Sequence, residues 1–191
     1  MMGLHRFDTK PAINRKILGC LFLFVYFSPI LFMRKMKTSG FKLIGIRLDG
    51  KTTNHQQQSA HDCGALWQQF ERDKVFDRIP GKVSDAVYGV YHDYESDENG
   101  PFAYFIGCKT APDAQAPEGL YELLIPEQTY RLFQARGKMT GCITAVWEEI
   151  WRSGISRSFG YDFEVYDERS RDWSDAEVDV YLSVPGQADP A

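Results

Sequence analysis

The chain is poor in the residues that hold metals or form covalent intermediates. Its four cysteines, Cys20, Cys63, Cys108 and Cys142, include no CxxC pair. His55, His61 and His92 stand at no ligand spacing to one another or to Cys63. Neither a zinc site nor a disulfide frame is expected, and scattered thiols point to a reducing compartment. No nucleophile elbow, phosphate-binding loop or dinucleotide fingerprint occurs, so no cofactor is implied. Asn-x-Ser/Thr glycosylation acceptors are also missing.

Positive charge is scarce where nucleic acid would need it. Seven of the 22 basic residues but only one of the 26 acidic ones fall in residues 1–40. That leaves 15 basic against 25 acidic residues in 41–191, a net of about -10. So acidic a body repels phosphate backbones and attracts cations, and direct nucleic-acid binding is not expected.

What the chain does have begins with an apolar run, Ile17 to Met33, flanked by Arg15-Lys16 and Arg34-Lys35. At about 17 residues, interrupted by Ser28-Pro29, it sits at the lower limit for spanning a bilayer. Three readings stand: a membrane anchor, a defective secretory signal, or translated upstream sequence whose start is Met33 or Met36. The last agrees with the free thiols and with Met36-Lys37-Thr38 running into a first strand, and it makes the protein cytoplasmic. The organisation expected is an extension over 1–39, one domain over 40–186 and a polar tail over 187–191.

The body reads as α+β. A strand over 41–48 is followed by a helix from Ala60 to about Asp73, with Cys63, Leu66, Trp67 and Phe70 on one face. Pro80-Gly81 stops it. Strands over 83–94 and 101–110 flank a hairpin turn at Asp97-Glu98-Asn99-Gly100. The order then recurs. A strand from Leu120 to about Ala135 leads to a helix from Thr140 to Gly154, with Ile143, Val146, Trp147, Ile150 and Trp151 on one face. Strands over 159–166 and 177–184 follow, with Glu177 and Asp179 read as a solvated strand face. Two pseudo-symmetric βαββ modules, each half a core, would have to pack together around a central cleft.

Glu164 is the informative residue. It lies in the aromatic run Phe163-Glu164-Val165-Tyr166, which echoes Tyr88-Gly89-Val90-Tyr91 about 75 residues upstream, with Gly89 at the matching position. Most strand glutamates point into water. Here Tyr91 and Tyr166 share the faces of Gly89 and Glu164, and Gly89 leaves room where a cavity would need it. Trp147 and Trp151 project together at i, i+4. An acid among electron-rich rings suits an apolar cation. A buried glutamate could instead serve as a general base on water.

The helix Trp147-Glu148-Glu149-Ile150-Trp151, the strand Phe163-Glu164-Val165-Tyr166 and the closing Glu177-Val178-Asp179-Val180-Tyr181-Leu182 resemble the gyrase-inhibitor-like, or AraC-type effector-binding, domain family. Leu66-Trp67-x-x-Phe70 and Tyr88-Gly89-Val90-Tyr91 match its first half, so the likeness covers about 40–186. The resemblance implies a stand-alone multidrug-binding module that takes small lipophilic, often cationic compounds. It places the pocket acid at Glu164 and pocket walls at Trp147, Trp151, Tyr91, Tyr166 and Trp67. Residues 1–40 are too short and too apolar for a helix-turn-helix unit. Relatives of this kind leave two further roles open, hydrolysis of reactive small molecules with Glu164 as base and binding of a protein partner such as gyrase or a regulator.

Overall fold

The structure, a computed structural model, describes residues 35–186. The apolar run at 17–33 and the tail at 187–191 lie outside the described residues. Among the described residues, no helix is long and apolar enough to cross a membrane.

Eight antiparallel strands form one curled half-barrel sheet: β1 (Lys35–Thr38), β2 (Phe41–Arg47), β3 (Lys82–His92), β4 (Ala103–Thr110), β5 (Tyr121–Ile125), β6 (Gln128–Gly137), β7 (Asp162–Tyr166) and β8 (Ala176–Ser183). Their order across the sheet is β1-β6-β8-β7-β3-β4-β2-β5, which puts β7 and β3 at the centre. Helices α1 (Gln58–Arg72), α2 (Val75–Arg78) and α3 (Met139–Arg152) complete the fold. The α+β class and the repeated order β2-α1-β3-β4 and β6-α3-β7-β8 agree with the sequence reading.

Both long helices lie on one face of the sheet. Leu66 and Phe70 of α1 pack with Ile44, Ile46, Tyr104 and Ile106 from β2 and β4. Val146, Trp147 and Ile150 of α3 pack with Phe133, Ala135, Val178 and Val180 from β6 and β8. The alternate residues, Leu43, Val90, Phe105, Tyr130 and Phe163, form a third apolar cluster on the other face. Period-two strands and 3.6-period helices thus meet as their patterns dictate. Fully burying each large side chain contributes roughly 1.5–3 kcal/mol.

Several elements differ from expectation. Residues 120–135 are two strands, because Pro126 has no N–H to give to the ladder and β5 ends before it. A further strand, β1, precedes the one expected at 41. β1 and β2 pair with β6 and β5 in one constant register, from Lys35↔Arg131 and Thr38↔Gln128 to Phe41↔Ile125 and Gly45↔Tyr121. The strand expected over 83–94 stops at His92, where Asp93 takes φ 52°. That expected over 159–166 starts at Asp162, since Phe159 takes φ 48°. In α3 the regular turns begin after Gly141, whose φ is 124°. Both irregular connections, 93–102 and 153–161, reach the site.

Candidate functional site

Gly89 and Glu164, matched in sequence, are direct cross-strand partners in the two central strands. A Cβ on Gly89 would lie 2.6 Å from the Tyr104 hydroxyl and 3.3 Å from Glu164 Oε2. The glycine makes room for a packed polar cluster and not for open space.

Glu164 is 1% exposed and hydrogen-bonded at both oxygens. Its Oε1 accepts from Trp147 Nε1 at 2.7 Å and from the Tyr91 hydroxyl at 2.9 Å. Its Oε2 accepts from the Tyr166 hydroxyl at 2.7 Å. Burial pushes its pKa above the ordinary 4.5, and the three donors pull the other way. Three donors converging on its two oxygens favour the carboxylate form against that burial. Tyr91 and Tyr166 are held protonated, first by burial and then by the charge of Glu164, so both remain donors at neutral pH.

On the sheet face shared by the helices lies a cavity of about 410 Å³. Tyr91, Trp147 and Trp151 line it, together with Cys63 and Ile143 from the two helices. Such a volume lies within the range of small-molecule sites, about 300–1,000 Å³. Tyr91 and Trp147 pack edge to face with ring centroids 5.1 Å apart, and Trp147 stacks on Trp151 at 6.4 Å. Trp151 is 38% exposed and stands at the solvent side.

The six expected site residues therefore divide. Tyr91, Trp147 and Trp151 line the cavity. Glu164 lies behind the first two and is bonded to both. Tyr166 and Trp67 back the acid, their rings 4.9 Å apart, while Trp67 Nε1 donates to the Tyr104 hydroxyl at 3.0 Å. The carboxylate thus does not stand bare in the hollow, because burial without three donors would cost too much.

Sequence reasoning missed the other wall. Arg157 lines the cavity from the loop before β7, as do Tyr94 and Glu98 from the loop after β3 and Glu148 from α3. Arg157 Nη2 donates to Asp162 Oδ2 at 2.7 Å, and the Tyr94 hydroxyl donates to the same oxygen at 2.8 Å. Asp162 Oδ1 accepts from Ser183 N–H. The Arg157 side chain is only 5% exposed and lies over Phe159, 4.3 Å from the ring centroid. Burial, followed by the charge of Asp162, holds Tyr94 protonated. An arginine and a tyrosine in irregular loops carry no periodic signal, and nothing in the spacing of Arg157 and Asp162 marks them as a pair.

Glu177 and Asp179, expected to be solvated, instead bind Arg169. Its Nη1 meets Glu177 Oε1 at 2.6 Å and its Nη2 meets Asp179 Oδ2 at 2.8 Å. β8 is an interior strand with β6 on one side and β7 on the other, so its polar face is half-covered. Among the described residues, no group of three His, Cys, Asp or Glu side chains could hold a metal ion.

A single antiparallel sheet carrying two helices beside one aromatic cavity defines an effector-binding, gyrase-inhibitor-like domain. The chain belongs to the integron-associated effector binding protein family, whose profile matches residues 36–184. It is 27% identical over 126 residues to a putative transcriptional regulator protein, YobU, of Bacillus subtilis, covering 64% of this chain and 72% of that protein. It is 29% identical over 158 residues to the transcriptional regulator BrlR of Pseudomonas aeruginosa, covering 79% of this chain but only 54% of that protein. In fold it is similar to an integron cassette protein from the mobile metagenome of Vibrio cholerae, with TM-score 0.61, 24% identity, and 82% and 99% of the two chains covered. A second similar structure is SAV2435 bound to tetraphenylphosphonium, with TM-score 0.63, 15% identity, and 80% and 93% covered.

Proposed function

We propose that this domain binds lipophilic organic cations in the cavity beside α3, with Glu164 supplying the balancing charge from behind the aromatic wall. The observation that carries the reading is that both oxygen-facing donors of that wall, Tyr91 and Trp147, bond to one buried carboxylate oxygen while lining the hollow. A ring that donates a hydrogen bond to an anion is polarised, which makes its π face more negative. Such a face attracts a cation by up to about 2 kcal/mol when dry. Glu148 adds negative charge at the wall, where the positive charge of Arg157 is met by Asp162 and Glu98. The tetraphenylphosphonium held by SAV2435 is a ligand of the same chemistry.

A general-base role for Glu164 has less support, since both its oxygens are occupied and neither lines the cavity. Signalling to a regulator or gyrase would lie downstream of ligand capture. About half of BrlR is matched, so the activity proposed here is capture alone.

The test is titration of (4-phenylbutyl)trimethylammonium, and of its neutral analogue with a tert-butyl group in place of the ammonium, against wild type and Glu164→Gln. Gln keeps the shape, and its oxygen can still accept from Trp147. A unit charge about 7 Å away at an effective dielectric of about 20 contributes roughly 2 kcal/mol, or about thirtyfold in affinity. The substitution should weaken the ammonium by about that factor and leave the neutral compound nearly unchanged. Equal losses for the two would remove the charge role.

A further inference from the structure

Helix α3 turns one stripe toward the cavity. Thr144, Trp147, Glu148 and Trp151 stand at i, i+3, i+4 and i+7, and all four line the hollow. Glu148 is the odd member, an exposed carboxylate on the ligand-facing side of the helix. A glutamate four residues before an arginine ordinarily pairs with it. Here Arg152 is engaged elsewhere: its Nε donates to the Glu148 backbone carbonyl at 3.0 Å, and its Nη2 lies 3.6 Å from Glu149. Arg157 is met by Asp162 at 2.7 Å and by Glu98 at 3.6 Å. Among the described residues, the Glu148 carboxylate has neither an ion pair nor a hydrogen bond.

Depth separates this acid from Glu164. Glu164 is buried behind Trp147, Trp151 stacks on Trp147 toward solvent with ring centroids 6.4 Å apart, and Glu148 is exposed beside them. The aromatic wall thus carries an anion at each end. The inner one is dry and acts through the indole and phenol that donate to it; the outer one is wet and keeps its own oxygens free. The two ends suit different cations. A quaternary ammonium has no N–H to offer and gains most from ring faces in a dry site. A primary ammonium has three N–H donors, which need the water and carboxylate oxygens that the rim supplies.

Resting on the cation reading, we infer that the cavity takes an amphipathic dication: a quaternary-type cation seated against Tyr91 and Trp147, joined through an apolar spacer to a protonated amine that pairs with Glu148. Glu148 is thus a specificity-determining residue that favours such dications over single-charge lipophiles of the same shape. Because the outer pair is exposed, its share is modest, about fivefold in affinity and well below that of the dry inner site.

A pair of isosteres tests this. [4-(4-Aminomethylphenyl)butyl]trimethylammonium differs from [4-(4-ethylphenyl)butyl]trimethylammonium only by an ammonium in place of a methyl. Binding is measured calorimetrically on the full chain, in wild type, Glu148→Gln and Glu164→Gln. Gln forms helix about as well as Glu and position 148 is exposed, so the first variant keeps its fold. The comparison is between losses, since ammonium and methyl differ in hydration. Glu148→Gln should weaken the aminomethyl compound about fivefold more than the ethyl compound. That excess should shrink at about 1 M salt, where the Debye length falls to about 3 Å. Glu164→Gln should weaken the two compounds alike.

Equal losses of the two compounds in Glu148→Gln overturn the inference, because Glu148 would then act on the inner cation. Undiminished binding of the aminomethyl compound in that variant overturns it as well. An excess loss in Glu148→Gln combined with no loss of either compound in Glu164→Gln strikes instead at the cation reading and leaves the outer station standing. Binding of neither compound to wild type overturns both.

Discussion

Replacing Gly89 with alanine tests the packing that seats Glu164. The glycine lies in the central strand β3 with ordinary backbone geometry, so its chain entropy alone would make Gly89→Ala stabilising by about 0.4–1 kcal/mol. The added methyl, however, would sit 2.6 Å from the Tyr104 hydroxyl, an atom fixed by its bond from Trp67. Forcing a methyl into a filled interior costs about 1–3 kcal/mol. The clash wins by roughly 1–2 kcal/mol, and at this chain length that lowers Tm by roughly 5 °C. Tyr104→Phe deletes the offending oxygen and leaves 3.3 Å to Glu164 Oε2 as the nearest approach. Alone it costs about 1 kcal/mol, because Trp67 loses its acceptor. Combined with Gly89→Ala it should cost less than the sum, with a coupling of about 1 kcal/mol. Chemical denaturation of the four proteins gives the cycle. A stabilised Gly89→Ala, or strict additivity, would refute the reasoning.

The burial of Glu164 has a pH signature. Its folded pKa lies above 4.5, so the folded state binds this proton more tightly than the unfolded chain. Its contribution to stability therefore falls as pH rises from about 4.5 through the raised value and is level above it. Cation affinity moves the opposite way, rising over the same window as the carboxylate ionises, while a neutral ligand stays flat; calorimetry at stepped pH checks both. Trp147→Phe keeps a ring but removes one donor to Oε1, and should shift the midpoint of cation binding to higher pH. Asp162→Ala leaves the Arg157 charge buried without its close partner and should cost about 3–5 kcal/mol in urea unfolding. Asp162→Asn combined with Arg157→Met should cost less than that single change; a larger loss would contradict the pairing.

The central strands were legible because their chemistry is local. Alternation in Phe163-Glu164-Val165-Tyr166 fixes which side chains share a face, and the i, i+4 tryptophans fix the inner face of α3. The echo at Gly89 marked the matching strand, though it could not reveal that the two strands lie side by side. Other features depend on distant partners. β1 is a short polar segment, Lys35-Met36-Lys37-Thr38, whose strand character comes from its ladder with β6. Whether Glu164 faces the hollow directly or from behind Tyr91 and Trp147 depends on rotamers and helix placement, which periodicity does not encode. Arg157 comes after Gly154 in a stretch without repeat, where only the fold brings it to Asp162 and Tyr94.

The unbroken register from β1–β2 onto β5–β6 also bears on inheritance. The segment before the β4–β5 connection lends β1 to β6, and the segment after it lends β5 to β2, so cutting the gene there would give two pieces, each with a naked border and each missing part of the hollow. The eight-stranded sheet is complete only when the segments on both sides of the β4–β5 connection are present together.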